Sequence, residues 1–405
     1  MTSIKRCFNI WDLRNAARSR LPKGVFEYVD KGSEDQLAFN SNLRAFEQVK
    51  MLNRVLVDVS DISLKADILG GESAMPLVIA PTGVAGICWY KGELELAKAA
   101  AKAGVPFILA TGSSTSIEQM AAEAGGRLWF QLYMWREKQL SYELVQRAAR
   151  ATFEALVWTV DIGQGANREH NQRNGFSVPY RLNMRSAIDA LRHPRWLFSV
   201  MGRYLAKGMP SHVNFPPQYQ QKFTGTATEA KALRADLVGW DDVDRLREIW
   251  PRKLILKGIM RADDAVEAVA RGVDAIIVSN HGGRNLDSAP GTLEVLPDIL
   301  RAVDGRIPVI VDSGVRRGSD IVKCLALGAD AVLTGRATLY GVAAGGEKGA
   351  AKALTILKNE MRRTMAYVGC RSTREITSNI LFKGGSDNAF SGKEDIASWP
   401  LKESA

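Results

Sequence analysis

The chain has 405 residues, 46% of them hydrophobic and 24% charged, with 54 Lys and Arg against 44 Asp and Glu and a formal net charge of +10. That composition excludes a disordered or fibrous chain, and the length suits one large barrel as readily as two or three smaller domains. The four cysteines (Cys7, Cys88, Cys324, Cys370) form no CxxC pair, and the opening segment lacks the apolar stretch of a signal peptide, so neither a disulfide framework nor a metal site is expected.

In chain order, residues before about 70 read as a helical lead-in closed by a short extended piece. Short runs rich in Val, Ile and Leu then recur at 77–81, 107–110, 128–133, 156–161, 254–257, 275–279, 308–312 and 331–334. Stretches of helical period lie between most of them, at 93–103, 117–124, 139–149, 263–271, 293–303 and 319–327. Continuous apolar strands alternating with helices describe a parallel sheet buried on both faces, and eight such units predict a (β/α)8 TIM barrel. The starts of the fourth and fifth runs are 98 residues apart, which marks a long insertion after strand four. The expected organisation is one barrel domain over 1–380, a basic insertion over 171–225 inside it, and a polar tail over 381–405.

The insertion concentrates the charge. Between 171 and 222 stand eight basic residues (Arg173, Arg181, Arg185, Arg192, Arg195, Arg203, Lys207, Lys222) against the single acid Asp189. Trp196, Leu197, Phe198, Val200, Met201, Tyr204 and Leu205 are interleaved with them. Such a segment fits a membrane surface, where anionic headgroups draw the charge and apolar side chains enter the interface. Nucleic acid would satisfy the same charge, and a solvated loop is the plain alternative. No run approaches the roughly 18 apolar residues of a membrane span. An intracellular protein, soluble or peripheral on a membrane, is the expectation.

Active sites of such barrels sit at the C-terminal ends of the strands. Strand one ends Ala80-Pro81-Thr82-Gly83, strand three runs into Gln131-Leu132-Tyr133, strand four closes on Thr159-Val160-Asp161 and strand five on Lys257. Strand six ends Ser279-Asn280-His281-Gly282-Gly283-Arg284, strand seven Asp312-Ser313-Gly314-Val315-Arg316-Arg317-Gly318, and strand eight Gly335-Arg336. Gly-rich loops after strands seven and eight are where this barrel commonly holds a phosphate. Backbone N–H groups of Gly314, Gly335 and Arg336 would cradle it, with Arg316 or Arg336 supplying charge. His281, with Asp161, Lys257, Arg168 and Tyr133 at neighbouring strand mouths, is the candidate base. His170, His193 and His212 fall in the insertion and read as loop residues. The cysteines read as small buried hydrophobes.

SNHGGR and DSGVRRGSD, with a span from Leu21-Pro22 to about Cys370, resemble the flavin-mononucleotide-dependent L-2-hydroxyacid oxidase and dehydrogenase family. The segments 316–341 and 129–133 look most like its mandelate and bacterial lactate dehydrogenase members. The resemblance implies FMN as cofactor and oxidation of a small (S)-2-hydroxy acid to the 2-oxo acid, either with the hydroxyl proton going to His281 and hydride to flavin N5 or by a carbanion route that uses the same residues. It implies that Asp161 orients His281, that Arg168 and Arg284 clamp the substrate carboxylate, and that Tyr28 and Tyr133 meet its polar groups. Lys257 would face the flavin ring near N1 and O2, Gln131, Thr159 and Ser279 would contact it, and Ala80, Pro81 and Thr82 would pass its edge. Asp312, Gly314, Arg316, Gly335 and Arg336 would hold the phosphate. It further implies a tetramer.

Asn285 stands where the family usually has Gln, Ala110 where Ser is common, Gly112 where glycolate oxidases carry Trp, and Gly165 where Leu often lines the pocket. Gly83 resembles the dehydrogenase variant rather than the oxidases. The added volume points to a bulky or aromatic substrate. Joined to the basic insertion, the chemistry points to a peripheral enzyme on the inner face of the cytoplasmic membrane, passing electrons to a quinone or another acceptor, with no nucleic acid partner. An oxygen-using oxidase and a catalytically silent basic barrel are the competing readings.

Overall fold

The computed structural model describes residues 4–83, 85–163, 165–176, 184–216, 220 and 238–382. Eight parallel strands close into a barrel in chain order: β1 (Leu77–Ile79), β2 (Phe107–Ala110), β3 (Leu128–Leu132), β4 (Ala155–Thr159), β5 (Lys253–Ile259), β6 (Ala275–Val278), β7 (Val309–Val311) and β8 (Ala331–Thr334). β8 closes the ring on β1 through Val332 opposite Leu77 and Thr334 opposite Ile79. Every residue of seven of these strands is buried, β5 being the exception, which is why the sequence shows continuous apolar runs rather than alternation. Each strand sends a side chain inward (Val78, Ile108, Trp129, Val157, Ile255, Ile277, Ile310, Leu333), and these fill the barrel as a packed core.

A hairpin, Ala66–Ile68 with Gly71–Ser73, precedes β1 and adds Ile68 to that inner core. Arg127 holds it there, donating to the carbonyls of Ile68 and Gly71 while pairing with Glu154. The lead-in is helical as expected, over Ile10–Arg20, Lys23–Asp30 and Leu37–Gln48. Its last helix clamps the loop after β6. Asn42 and Asn280 exchange side-chain hydrogen bonds of 2.9 Å each way, and Asp287 accepts from the backbone of Asp35 and Ala38.

The insertion after β4 differs from a free loop. It forms helices Glu169–Arg173 and Met184–Leu191, then a continuous helical stretch from Pro194 to Lys207 with a π turn at Leu197–Gly202. Trp196, Val200 and Tyr204, spaced four apart, are buried. Trp196 Nε1 donates to the Ile87 carbonyl at 2.7 Å and Tyr204 Oη to that of Gly86 at 3.1 Å. The buried Arg20 guanidinium reaches across to Ser199. These aromatic residues therefore serve the barrel and are not part of an outward apolar face. Met184, Leu191, Phe198 and Leu205 remain 69–79% exposed, beside exposed Arg185, Arg192, Arg195, Arg203 and Lys207. Arg181, Lys222 and the tail beyond 382 lie outside the described residues. All four cysteines are free and buried, in line with a packing role.

Candidate active site

The polar strand ends converge at one mouth of the barrel. His281 follows β6 with φ of +57°, a left-handed conformation uncommon outside glycine and typical of residues held for function. Its backbone N–H donates to Ser279 Oγ, and Nδ1 lies 3.0 and 3.2 Å from the two Asp161 carboxylate oxygens. The other ring nitrogen, Nε2, is 3.5 Å from the Tyr133 hydroxyl. Asp161 can sit this close because Gly258, at a bulge in β5 with φ of +112°, carries no side chain. A Cβ there would lie 2.7 Å from that of Asp161. Asn285 Nδ2 donates to the Asp161 carbonyl at 2.7 Å, so this Asn steadies the carboxylate that orients the histidine.

Burial pushes the His281 imidazole below its ordinary pKa, and Lys257 and Arg168 add to this, against the opposing pull of Asp161. The ring is thus neutral near pH 7, as a base must be. Burial alone would raise the Asp161 carboxyl, but His281 and Lys257 outweigh it and hold the group below the usual carboxylate range. Lys257, 5% exposed, donates to Ser279 Oγ at 2.7 Å and pairs with Asp312 at 3.2 Å. Burial would lower its pKa; Asp312 and then Asp161 keep it raised.

Arg168 and Arg284 flank the Tyr28 ring at 5.8 and 5.0 Å, and Arg168 Nη2 reaches the Arg284 carbonyl. Arg284 is fixed by the carbonyls of Tyr28 and Lys31, and burial together with Arg168 pushes its guanidinium down to about 9. Among the described residues no carboxylate pairs with either arginine, and Arg168 Nε is buried without a partner. Two neighbouring cations beside a neutral base are arranged for an anion.

A second set of groups runs round the same mouth. Thr82 Oγ1, Gln131 Nε2, Thr159 Oγ1, Thr334 Oγ1 and both Nε and Nη2 of Arg316 are buried with no hydrogen-bond partner. Unmet polar atoms on this scale are costly unless a ligand meets them. They extend from β1, β3 and β4 to the β7 and β8 loops, as an elongated polar ligand with a phosphate end requires. Gly335 caps and Arg336 begins a helical segment, Arg336–Val368, that breaks at Gly345-Gly346; the first of its two helices starts at that end. The residues present therefore fit FMN.

Two expected phosphate ligands are placed differently. Asp312 directs its carboxylate to the Lys257 ammonium at 3.2 Å and accepts from the Ser313 hydroxyl at 2.7 Å. The Arg336 side chain is spent on the carbonyls of Val29, Lys31 and Gly282, which leaves its backbone N–H for an anion. Ala80, Pro81 and Gly314 lie at the strand ends as expected, and Gly314 at φ of +100° abuts Phe46 and the Asn42 carbonyl. Thr334 was missed, although its place one residue before Gly335 was the available signal.

At the side-chain end of the pocket, Gly165 has open space where a Cβ would stand, and Gly83 meets only the Gly112 carbonyl at 3.8 Å. Gly112 is faced by His212 Nδ1, 3.9 Å from the position of its absent Cβ. His170 is therefore not a loop residue but is buried within a short helix, whereas His212 does lie in a loop, partly buried, on the stretch that returns from the insertion toward Gly112.

A family model described as FMN-dependent dehydrogenase matches residues 17–383. An (S)-mandelate dehydrogenase from Pseudomonas putida is 42% identical over 94% of this chain and 95% of its own length. An L-lactate dehydrogenase from Xanthomonas campestris pv. campestris is 37% identical over 91% and 95%. A crystal structure of a monotopic membrane protein, (S)-mandelate dehydrogenase, superposes with a TM-score of 0.88 at 41% identity, covering 93% of this chain and 99% of that one.

Proposed function

The chain belongs to the FMN-dependent dehydrogenase family, and we propose that it oxidises (S)-2-hydroxy acids with a planar, aromatic side chain, passing the electrons to a membrane quinone. It is an FMN-dependent 2-hydroxyacid dehydrogenase. The observation that carries the reading is the half-buried His281–Asp161 pair set beside two arginines that no described carboxylate neutralises.

Arg168 and Arg284 bind the substrate carboxylate through charge-assisted hydrogen bonds and so fix C2 relative to His281. With Nδ1 held by Asp161, the lone pair of Nε2 faces the pocket and takes the proton of the 2-hydroxyl. Asp161 then stabilises the imidazolium. The Tyr133 hydroxyl, beside Nε2, positions the substrate oxygen. FMN, when bound, supplies the two-electron acceptor for the hydrogen leaving C2. Thr82, Gln131, Thr159, Thr334 and Arg316 are the side chains whose unmet polar atoms would hold it.

The open space at Gly165 and Gly83 supports a bulky substrate over a two-carbon one. Anaerobic mixing with (S)-mandelate is expected to bleach the flavin band much faster than mixing with L-lactate. Bleaching by lactate alone would overturn the substrate class, and bleaching by neither would overturn the activity. Peroxide formed in proportion to turnover in air would replace the quinone by oxygen.

For the membrane, the exposed Met184, Leu191, Phe198 and Leu205 stand among exposed arginines, and a relative is described as monotopic. No helix among the described residues is long and apolar enough to cross a bilayer. Combining Arg192→Glu, Arg195→Glu and Phe198→Ser is expected to release the protein from vesicles containing anionic lipid. Each basic residue near such a surface contributes about 1 kcal/mol, so reversing two charges lowers partitioning by well over tenfold. Dye-linked turnover should persist; sedimentation with vesicles as in the wild type would refute the docking surface.

A further inference from the structure

We propose that His212 closes the side-chain end of the substrate pocket and sets the preference for planar aromatic over short aliphatic 2-hydroxy acids. The inference rests on the hydroxyacid reading above and names a residue that acts in its specificity.

The insertion leaves the barrel after β4 and returns to it at residues 210–216, against the connection between β2 and the helix Ile117–Glu123. Asn214, 1% exposed, pins this return. Its Oδ1 accepts from Ile117 N–H and its Nδ2 donates to the Thr115 carbonyl, both at 3.0 Å. The Phe215 N–H closes a turn on the His212 carbonyl at 3.0 Å. The Phe215 ring meets buried Trp135 edge-on, with centroids 5.5 Å apart, and His212 lies nearly parallel on Phe215 at 4.6 Å and 16°. A stacked column thus runs from Trp135, just beyond β3, to His212. The His212 end faces Gly112, where a Cβ would lie 3.9 Å from Nδ1. The imidazole therefore takes the direction that a side chain at 112 would have taken.

The chemistry of that wall follows from its surroundings. Burial drives the imidazole down to about 4, against a hydrogen bond with the Gly112 backbone, so the ring is neutral at physiological pH. A neutral flat ring, backed by two further aromatic rings, offers a stacking face and no charge. The substrate carboxylate belongs at Arg168 and Arg284, so what meets His212 is the group on C2. An aryl group gains a stacked or edge-on contact there, whereas a methyl group leaves the wall largely unfilled.

The test compares wild-type holoenzyme with His212→Ala, His212→Phe and Gly112→Trp. kcat/KM is measured for (S)-mandelate and L-lactate, and binding is measured for phenylacetate, which lacks the 2-hydroxyl and cannot react. His212→Ala is expected to lower the mandelate-to-lactate ratio about tenfold, mainly through KM, and to weaken phenylacetate by a similar factor, the size of one aromatic contact. His212→Phe should hold the ratio within about twofold. Gly112→Trp, which must displace His212, should lower it at least as far as His212→Ala. Equal losses for both acids in His212→Ala, or an unmoved ratio in Gly112→Trp, would overturn the proposal. If neither acid reduces wild-type flavin, the hydroxyacid reading fails by itself, and the phenylacetate titration still reports on His212.

Discussion

Replacing His281 with Asn is expected to slow anaerobic flavin reduction by (S)-mandelate by about 10³- to 10⁴-fold while the purified protein stays yellow. A positioned general base contributes up to roughly 10⁴-fold, and His281 Nε2 is the ring nitrogen that lies beside the Tyr133 hydroxyl. Asn is the informative replacement because it tolerates the left-handed φ of +57° that His281 adopts, so the loop after β6 keeps its course. The pH dependence follows with a definite sign. The base works unprotonated and its pKa is held below the ordinary histidine value by burial, so kcat/KM rises with pH along an acid limb whose midpoint lies below that of a free histidine. Asp161 pulls that pKa upward, so Asp161→Asn moves the acid limb to lower pH and lowers the plateau, because the imidazolium loses its counter-charge. A His281→Asn variant reduced at more than a tenth of the wild-type rate would remove His281 from the role of base.

The barrel was legible in the sequence because its strands are buried on both faces, so composition alone marked them to within two or three residues. β5 ran past the expected end at Lys257 to Ile259 because Gly258 bulges the strand, a feature no apolar run reveals. The site was legible for a related reason: polar residues at the end of a buried strand can point only into the mouth. What the sequence did not show is how side chains choose partners across the fold. Asp312 and Arg336 carry the right chemistry for a phosphate end, yet one is captured by Lys257 and the other by three backbone carbonyls. In the insertion, the spacing of Trp196, Val200 and Tyr204 announces an apolar face without saying whether barrel or bilayer receives it. His212 was hidden most completely, since its place depends on Asn214 finding Ile117 and Thr115 nearly a hundred residues earlier.

Lys257→Met tests whether one buried charge does two jobs. Its ammonium lies within 3.2 Å of Asp312, both side chains at most 10% exposed, and it also bears on Asp161. Removing one partner of a buried pair costs about 3–5 kcal/mol, because the remaining carboxylate is left without compensation. The variant should therefore melt several degrees lower at neutral pH. The sign with pH is fixed by Asp161, whose carboxyl Lys257 helps hold below the usual range: stripped of that cation it takes up a proton more readily, so the deficit shrinks on acidification. The second job concerns FMN. A positive charge at the β5 mouth favours electron-rich states of a bound ring, so its loss should lower the flavin's midpoint potential and slow reduction by substrate. Pairing Lys257→Met with Asp312→Asn separates the two. Neutralising the stranded carboxylate should recover much of the thermal stability, whereas the potential should stay low, because no cation has been restored. Recovery of both in the double variant would reduce Lys257 to a structural counter-ion; recovery of neither would mean that Asp161, rather than Asp312, is the partner that matters.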